Sequence, residues 1–218
     1  MKLQGLKMNC FGDSITFGAG ATDPVALGYV GLLRSEYGID ARNYGIGGAR
    51  IAEQIVKRAN VLYDYIDFCL RADHMNPDAE VVFVLGGTND FGHGDAPFGT
   101  MDDRTTRTFC GACHVMMEKL TKNFPTAKIV IGLPLRRQNE TTPRSNGEGG
   151  TVVLMDYIHV IKETAKRFGL YVLDLHDECP SETFAPLYSC DLLLDGLHPS
   201  NAGHAMLAKR IASYIETL

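Results

Sequence analysis

The sequence predicts an α/β protein built on a five-stranded parallel sheet that helices cover on both faces. Five short apolar runs bounded by turn residues are typical of buried strands, and longer segments with helical spacing separate them. Strand and helix alternate throughout, which is the pattern of a parallel sheet with helices on both sides. The predicted strands are 7–11, 39–44, 80–85, 128–133 and 170–175, and the predicted helices are 26–37, 49–72, 102–123, 150–168 and 200–216.

Two of the predicted helices carry apolar stripes that would face the sheet. In the third helix, apolar residues recur at intervals of three and four positions, which places them on one side. They are Phe109, Cys113, Met116, Met117 and Leu120. The stripe of the fourth helix consists of Ile158, Ile161, Ala165 and Phe168. It ends at Gly169, which is expected to cap that helix because glycine readily adopts the left-handed conformation.

Length and composition favour a single globular domain spanning residues 1–218. A chain of 218 residues, 45% hydrophobic and 22% charged, can bury one core without splitting into several domains. The formal net charge of −5 and the absence of a dense Lys/Arg block argue against nucleic acid as a partner. We expect a small-molecule substrate, and nothing in the sequence indicates an oligomeric state.

Cysteine usage and the lack of export or membrane signals predict a cytoplasmic protein. Residues 1–7 are too polar for a signal peptide, and the longest apolar runs fall well below the roughly 18 residues of a membrane span. The chain is large enough to fold without disulfides, so its cysteines are expected to be reduced thiols. Residues 110–114 spell the string that attaches haem, but their helical pattern favours buried apolar cysteines. The cysteines are at positions 10, 69, 110, 113, 179 and 190.

Short motifs at the two ends of the chain carry its nucleophilic chemistry. The first predicted strand is followed by Gly12, Asp13 and Ser14, and near the other end lie Asp195 and His198. A hydroxyl is a poor nucleophile at neutral pH unless a positioned base removes its proton. Ser14 can supply the hydroxyl and His198 the base. Asp195, three residues before His198, is close enough in a tight turn to orient the imidazole.

Such a site also needs donors for the charge that develops on a carbonyl oxygen. Gly48 follows the second strand and can offer a backbone N–H, while Asn89 follows the third strand and can offer a side-chain amide. Ligands collect beyond the carboxyl ends of parallel strands, so these donors are expected at the same edge as Ser14. Gly45 and Gly47 are close neighbours of Gly48 that could instead serve tight turns.

Pro199 supports the placement of the base. A residue before proline is pushed out of the α region, whereas proline itself suits the first turn of a helix, so His198 is expected directly before the last helix. Asp13 and Asp90 are expected to support loops by hydrogen bonding, because no cluster with metal-ligand spacing accompanies them. The histidines expected to have no part in the chemistry are His74, His114, His159, His176 and His204.

Three further residues are candidates for contact with the substrate. Arg50 directly follows the glycine-rich run, where a cation could orient a polar or anionic group; alternatively, it pairs with Glu53 on a helix surface. His93 and Phe98 belong to the glycine-rich stretch 91–99, which is expected to form a wall of the pocket.

Segment 134–150 is the least patterned part of the chain, with several arginines and glycines. It follows the fourth predicted strand at the edge where the site is expected. The segment is therefore either a mobile lid that closes over substrate or a plain connection.

Four motifs together resemble those of the SGNH hydrolases, also called the GDSL esterase and lipase family. They are the runs 12–15, 43–48, 87–90 and 195–198, which occur in the family's order and span nearly the whole chain. The resemblance implies a three-layer α/β/α fold of the flavodoxin type and ester hydrolysis without cofactor or metal. It also implies a nucleophile at Ser14, a base at His198 and an orienting carboxylate at Asp195, with oxyanion donors from the Ser14 N–H, the Gly48 N–H and the Asn89 amide.

The resulting hypothesis is a carboxylic-ester hydrolase that forms an acyl-enzyme on Ser14. Short acyl groups, and acetyl groups on sugars in particular, are expected because the chain is compact, has no long apolar lid and resembles acetylesterase members of the family. A lysophospholipase or thioesterase is the near alternative, and a noncatalytic carbohydrate-binding protein of the same fold is the distant one. The sequence lacks a Gly-x-Ser-x-Gly elbow, so the common α/β-hydrolase arrangement is disfavoured.

Overall fold

A five-stranded parallel sheet forms the centre of the molecule, in a computed structural model that describes residues 1–176 and 192–218. Its strands are β1 (Lys7–Gly12), β2 (Asp40–Gly45), β3 (Val81–Leu85), β4 (Lys128–Gly132) and β7 (Tyr171–Leu173). They lie in the order β2-β1-β3-β4-β7, and every neighbouring pair is parallel. A separate antiparallel pair consists of β5 (Arg144–Ser145) and β6 (Thr151–Val152).

Helices cover both faces of the sheet, which gives the three-layer α/β/α arrangement. The described helices are α1 (Ser14–Phe17), α2 (Tyr29–Tyr37), α3 (Phe68–Arg71), α4 (Thr88–His93), α5 (Phe109–Asn123), α6 (Leu154–Arg167) and α7 (Asn201–Glu216). Helices α3, α5 and α6 pack on one face, and α2 and α7 pack on the other. The predicted fold class is confirmed.

Side chains along the strands alternate between two cores. In β3, Val82 and Val84 face the α5 and α6 side, whereas Val81, Phe83 and Leu85 face the α2 and α7 side. A strand buried on both faces needs apolar residues at every position rather than at every second one. This is why the central strand β3 is visible in the sequence as an unbroken apolar run. The expectation that every strand is buried is wrong for β2, which lies at the edge of the sheet and is mostly polar and only partly buried. All five strands begin and end within two residues of the predicted positions.

The predicted stripes of α5 and α6 pack into the core as expected. Every residue of the α5 stripe is buried against the sheet, and the α6 stripe lies in the same cluster. Gly169 has φ +66° and its N–H donates to the Lys166 carbonyl at 3.1 Å, so it ends α6 in the left-handed conformation predicted for it.

The prediction of one helix over 49–72 is wrong, because only α3 and two 3-10 turns, Leu62–Asp64 and Ala72–His74, form there. Carboxylates from the segment after β3 accept the backbone N–H groups that a helix would use for itself. Asp90 accepts from Ile51 and Ala52, and Asp95 accepts from Ile55 and Val56. Side-chain acceptors from a distant segment thus replace the helical hydrogen bonds.

The third predicted helix is also shorter than expected, since α5 begins at Phe109 rather than at 102. Thr108 caps it, with its hydroxyl accepting a backbone N–H of the first turn at 3.3 Å. The residues before it form turns around the Asp103 carboxylate, which accepts from the Thr108 hydroxyl at 2.7 Å and from the Thr100 hydroxyl at 2.9 Å.

Four of the cysteines lie buried as free thiols: Cys10, Cys69, Cys110 and Cys113. The other two, Cys179 and Cys190, lie outside the described residues. None of the helices described above combines the length and apolar character needed to cross a bilayer.

Candidate active site

Ser14 lies at the carboxyl end of β1, where the chain turns sharply into α1. Gly12 makes this turn possible, because a Cβ atom there would lie 1.9 Å from Thr16 Oγ1 and 2.7 Å from the Leu85 carbonyl oxygen. Asp13 caps α1, with its Oδ1 accepting a backbone N–H of the helix at 3.0 Å. Ser14 is therefore fixed as the first residue of a helix, with 8% of its surface exposed.

The Asp195 carboxylate shapes the turn that carries His198. Its Oδ1 accepts from the backbone N–H of Leu197 at 3.0 Å and of His198 at 2.8 Å. Pro199 follows, and the Ser200 hydroxyl then caps α7 by accepting a backbone N–H of the first turn at 3.3 Å. The prediction that His198 lies directly before the last helix is confirmed.

The loop after α1 is tied to the start of α7, which brings the two ends of the chain together. The Thr22 N–H donates to Asn201 Oδ1 at 2.9 Å. His204, fully buried in α7, donates from Nε2 to the Ala19 carbonyl at 3.1 Å. His204 therefore has a structural part in holding the Ser14 segment against the helix that follows His198.

Three side chains form a hydrogen-bonded series at this junction. Ser14 Oγ is 2.9 Å from His198 Nε2, and His198 Nδ1 is 2.8 Å from Asp195 Oδ2. An ionised carboxylate can only accept, so Nδ1 carries the imidazole proton and Nε2 is free to accept the proton of the serine hydroxyl. The arrangement is that of nucleophile, base and orienting acid. The structure thus brings the three residues together, and their catalytic roles stay predictions.

Asp195 is held in its charged form. Burial acts to raise the pKa of this carboxyl, but hydrogen bonds from the backbone N–H and the imidazole of His198 outweigh it, and the pKa is lowered. An ionised Asp195 stabilises the imidazolium that forms whenever His198 takes up a proton.

Gly48 lies in a left-handed turn that only glycine fits. Its φ is +75°, and a Cβ atom would lie 3.0 Å from the Tyr63 ring. The strand before it ends at Gly45, which pairs in register with Gly12, so the glycine-rich turn starts level with the strand end that carries Ser14. The N–H groups of Ser14 and Gly48 donate to no acceptor within residues 1–176 and 192–218.

Asn89 is the second residue of α4 and is 3% exposed. Its Nδ2 donates to the carbonyl of Ala49, the residue after Gly48, at 3.0 Å, and its Oδ1 is 3.1 Å from His93 Nε2. An amide nitrogen carries two N–H bonds, and the second has no acceptor in the described part of the chain. Within the described residues, each of the three predicted donor groups therefore keeps an N–H without an acceptor.

Asp13 and Asp90 support the loops of the site, as predicted. The Asp90 carboxylate accepts from two successive backbone N–H groups after the glycine-rich turn, each at 3.0 Å. Burial raises the pKa of Asp90 to about 7 and that of Asp13 to about 6. Both carboxyls accept from backbone N–H groups, and neither is hydrogen-bonded to Ser14 or His198 in the described residues.

Arg50 is buried rather than exposed to a solvent-filled pocket, with 2% of its surface accessible. Its guanidinium forms an ion pair with Asp64, and its Nη1 is 3.0 Å from His93 Nδ1. The expected alternative pairing with Glu53 is wrong, since Glu53 pairs with Lys57 at 3.0 Å and the segment is not a helix. Direct contact of Arg50 or His93 with substrate stays a prediction.

Phe98 joins an aromatic cluster with α5 and α6. Its ring centroid lies 5.9 Å from that of Phe109 and 5.0 Å from that of Tyr157. Its backbone N–H donates to the Asn146 carbonyl at 2.8 Å, which links stretch 91–99 to the segment after β4. A contact between Phe98 and substrate is likewise untested and stays a prediction.

Segment 134–150 contacts two elements of the site. Arg137 Nη1 donates to the carbonyl and the hydroxyl of Thr88, at 2.9 and 3.0 Å, beside Asn89. The Gln138 N–H donates to the Gly196 carbonyl at 2.7 Å, between Asp195 and His198 in sequence. The segment thus bridges the Asn89 helix and the His198 turn; closure over a substrate stays a prediction.

Two supporting residues were missed by the sequence analysis, Arg71 and Asp64. Arg71 is 8% exposed and donates to the carbonyls of Gly12, at 3.2 Å, and of Tyr44, so it fastens the ends of β1 and β2. A single cation inside an apolar helical run is a signal that could have found it. Asp64 gives no such signal, because its ion pair with Arg50 forms only when the folded chain brings the two residues together.

A sequence model of the GDSL-like lipase/acylhydrolase family matches residues 10–206. The chain belongs to this family. Membership implies hydrolase activity on esters. A comparison with curated protein sequences gives no match.

Solved structures similar to this GDSL-like hydrolase cover nearly all of its length. A protein from Lactobacillus plantarum is 25% identical with a TM-score of 0.80, over 99% of this chain and 98% of that one. A lipase/acylhydrolase from Enterococcus faecalis is 21% identical with a TM-score of 0.63, over 97% and 96%. An acetyl xylan esterase is 21% identical with a TM-score of 0.64, over 96% and 100%. The last two share the fold.

Replacing Asn89 by alanine in this GDSL-like hydrolase should lower kcat by about 10²- to 10³-fold, because the amide that is predicted to donate to the oxyanion is lost. The protein should still fold, with a loss of about 1 to 3 kcal/mol, since the Ala49 carbonyl and the His93 N–H lose their partner. Steady-state hydrolysis of p-nitrophenyl acetate and thermal unfolding measure both effects.

A matched control for this variant is Asn123→Ala, which removes the Asn123 hydrogen bonds to Ala72 and Asp73, neither of which is a predicted site residue. Its kcat should equal that of the wild type. Unchanged turnover in Asn89→Ala would contradict the assignment of the amide as a donor.

Proposed function

We propose that the chain is a serine esterase that cleaves carboxylic esters through an acyl-enzyme on Ser14. The observation that carries the proposal is the series from Ser14 Oγ through His198 to Asp195, with hydrogen bonds of 2.9 and 2.8 Å. A hydroxyl in this arrangement can pass its proton to the imidazole as its oxygen attacks a carbonyl carbon. Membership of an acylhydrolase family supports the same chemistry.

In the acylation step, Ser14 Oγ forms a bond to the ester carbonyl carbon while Nε2 of His198 takes the hydroxyl proton. The resulting imidazolium is stabilised by the ionised Asp195. When the tetrahedral intermediate collapses, the bond to the leaving oxygen breaks and Nε2 returns the proton to that oxygen. An alcohol leaves, and the acyl group remains on Ser14.

Deacylation repeats the sequence with water as the nucleophile. His198 takes a proton from water as the water oxygen attacks the acyl carbon, and then returns it to Ser14 Oγ as the acyl bond breaks. The carboxylic acid is released and the serine hydroxyl is restored. The same base therefore serves both halves of the reaction.

The negative charge on the carbonyl oxygen would be received by three N–H groups, those of Ser14, Gly48 and the Asn89 amide. Supporting this role, each keeps an N–H without an acceptor in the described residues. Donors that are fixed before reaction stabilise developing charge without reorganising, and such preset groups usually make a large contribution to catalysis.

Short acyl groups, and acetyl esters of sugars in particular, are the proposed substrates. The segment that follows β4 supports this choice, because it contributes arginines rather than a long apolar lid, and polar side chains suit a hydroxyl-rich leaving group. One structural neighbour is named an acetyl xylan esterase, which is consistent with a small acyl group on a carbohydrate.

Longer acyl chains are the second candidate, favoured by two exposed apolar side chains beside the site. Phe17, one turn after Ser14 in α1, is 53% exposed, and Leu194, directly before Asp195, is 65% exposed. Apolar surface at these positions could receive a fatty acyl chain, as a lysophospholipase or thioesterase requires.

A series of p-nitrophenyl esters separates the two candidates, with acetylated sugars as the second panel. For the proposed acetylesterase, kcat/KM should be highest for the acetate and should fall from butyrate to octanoate and dodecanoate. A rise toward the long esters would favour the second candidate. A folded wild type that hydrolyses none of these esters faster than Ser14→Ala would contradict the esterase proposal itself.

A cytoplasmic location is part of the proposal. It is supported by cysteine usage, since Cys10, Cys69, Cys110 and Cys113 are buried as free thiols. Cell fractionation with an antibody against the protein should recover it with cytoplasmic markers, and recovery from the medium or an oxidising compartment would contradict this part.

A further inference from the structure

A second hydrogen-bonded series runs behind the Asn89 amide. His93 lies four residues after Asn89 in α4, so the two side chains share a face of the helix. His93 Nε2 is 3.1 Å from Asn89 Oδ1, and His93 Nδ1 is 3.0 Å from Arg50 Nη1. The imidazole therefore joins the amide to a buried guanidinium.

The contact with Arg50 determines which nitrogen of His93 carries the proton. A guanidinium has donors but no acceptor, so His93 Nδ1 must accept. In a neutral imidazole the proton then lies on Nε2. That N–H donates to Oδ1 of Asn89.

The direction of the Asn89 amide follows from the same contacts. Oδ1 accepts from His93, and Nδ2 donates to the Ala49 carbonyl at 3.0 Å. Rotating the amide by half a turn would set Oδ1 against the Ala49 carbonyl and Nδ2 against the His93 N–H. Buried like groups would then face one another unpaired, which disfavours that orientation.

Arg50 is itself held from the opposite side. Its guanidinium forms an ion pair with Asp64, and the exposed fractions of the two side chains are 3% and 1%. Asp64 also accepts from Arg58 Nε at 2.8 Å, and the Tyr63 ring centroid lies 5.3 Å from the Arg50 guanidinium carbon. A buried cation with these partners has little freedom to leave His93.

We infer that His93 is a positioning residue, which fixes the Asn89 amide in the orientation that offers its N–H to the substrate carbonyl oxygen, while Arg50 and Asp64 fix His93. The inference rests on the proposed esterase function and deepens it. It gives Arg50 and His93 an indirect role behind the oxyanion donor in place of direct contact with substrate.

The surroundings of His93 keep its ring in the neutral form that the series requires. Burial lowers the pKa of His93, and the positive charges of Arg50, Arg58 and Arg137 lower it further. Asp64 faces Arg50, and the Tyr63 ring lies 6.2 Å from the imidazole, centroid to centroid. A protonated ring would present an N–H to the Arg50 donor and lose this hydrogen bond.

A double-mutant cycle between His93 and Asn89 tests the inference. His93→Leu should lower kcat for p-nitrophenyl acetate by about 10- to 100-fold with KM changed less than about threefold, because only the transition-state donor is disturbed. In the Asn89→Ala background, the same substitution should change kcat by less than about threefold, because His93 acts through the amide.

An equal fall in kcat in both backgrounds, or a rise in KM with kcat unchanged, would overturn the inference. The first result would show a role independent of Asn89, and the second would show direct contact with substrate.

His93→Gln is the matched variant, and it keeps the test decisive should His93→Leu fail to fold. The glutamine amide can donate from Nε2 to Asn89 and accept from Arg50 through Oε1, with a spacing close to that of the two imidazole nitrogens. Its kcat should lie within about threefold of the wild type because both hydrogen bonds are retained. A folded His93→Gln protein as slow as Asn89→Ala would count against the inference.

Nitrogen NMR of labelled wild-type protein separates a failure of this inference from a failure of the esterase proposal, since it needs no substrate. The His93 signals, assigned by their loss in His93→Gln, should show a protonated Nε2 and an unprotonated Nδ1. The opposite tautomer, or a charged ring at neutral pH, would overturn the inference whatever the enzyme hydrolyses. The Ser14→Ala rate reports on the esterase proposal separately.

Discussion

Replacing Ser14 by alanine is expected to lower kcat for p-nitrophenyl acetate by on the order of 10⁶-fold. Without the hydroxyl no acyl-enzyme can form, and the remaining groups can only bind the ester and stabilise its oxyanion for attack by water. The substitution removes one hydrogen bond to His198 and leaves the backbone of α1 unchanged, so the melting temperature should stay close to that of the wild type.

The matched control is Ser35→Ala, at an exposed position of α2 remote from the site. It should hydrolyse the ester at the wild-type rate. Comparable residual activity in Ser14→Ala and the wild type, both folded, would show that another group attacks the ester.

Replacing His198 by alanine is expected to cause a loss of similar size, on the order of 10⁶-fold in kcat, because nucleophile and base act as a unit. The turn should survive the change, since Asp195 Oδ1 accepts from the backbone of residues 197 and 198 and not from the imidazole. Activity of the variant should rise when free imidazole is added, because a small base can enter the space that the side chain leaves.

The control for this variant is His159→Ala, which removes an exposed histidine on α6. Its activity should match that of the wild type and should not respond to imidazole. If His198→Ala retained wild-type turnover without added imidazole, the base would have to be another group.

Most of the fold could be predicted because the strands and long helices are specified locally. The central strand β3 is buried on both faces and is a continuous apolar run, while α5 and α6 display their buried stripes at helical spacing. The segment 49–72 could not be predicted in this way. Its backbone donors are taken by Asp90 and Asp95, and nothing within the segment reveals acceptors that come from a distant loop.

The hydrogen-bonded series of Ser14, His198 and Asp195 could be predicted from the sequence. Two of its three members are only three residues apart, and each motif follows a recognisable element. The ion-pair partner of Arg50 could not be predicted from the sequence. Sequence spacing suggested Glu53 on a shared helix face, but the helix does not form, and the guanidinium is buried against Asp64 instead. A buried charge pairs with an opposite charge that the fold buries beside it, and that residue need not be close in sequence.

The contacts of His93 could not be predicted from the sequence either. Its position in a glycine-rich stretch after β3 indicated nearness to the site, but the direction of its side chain depends on α4 and on Arg50 together. Helical spacing from Asn89 was the available signal, since residues four apart in a helix lie side by side.

The central claim is that Ser14 is a nucleophile activated by His198, and labelling with a fluorophosphonate followed by peptide mass spectrometry tests it most directly. The wild type should carry one phosphonyl adduct on the peptide that contains Ser14, and the adduct should be absent in Ser14→Ala and strongly reduced in folded His198→Ala. An unlabelled but folded wild type, or an adduct on another residue, would contradict the claim.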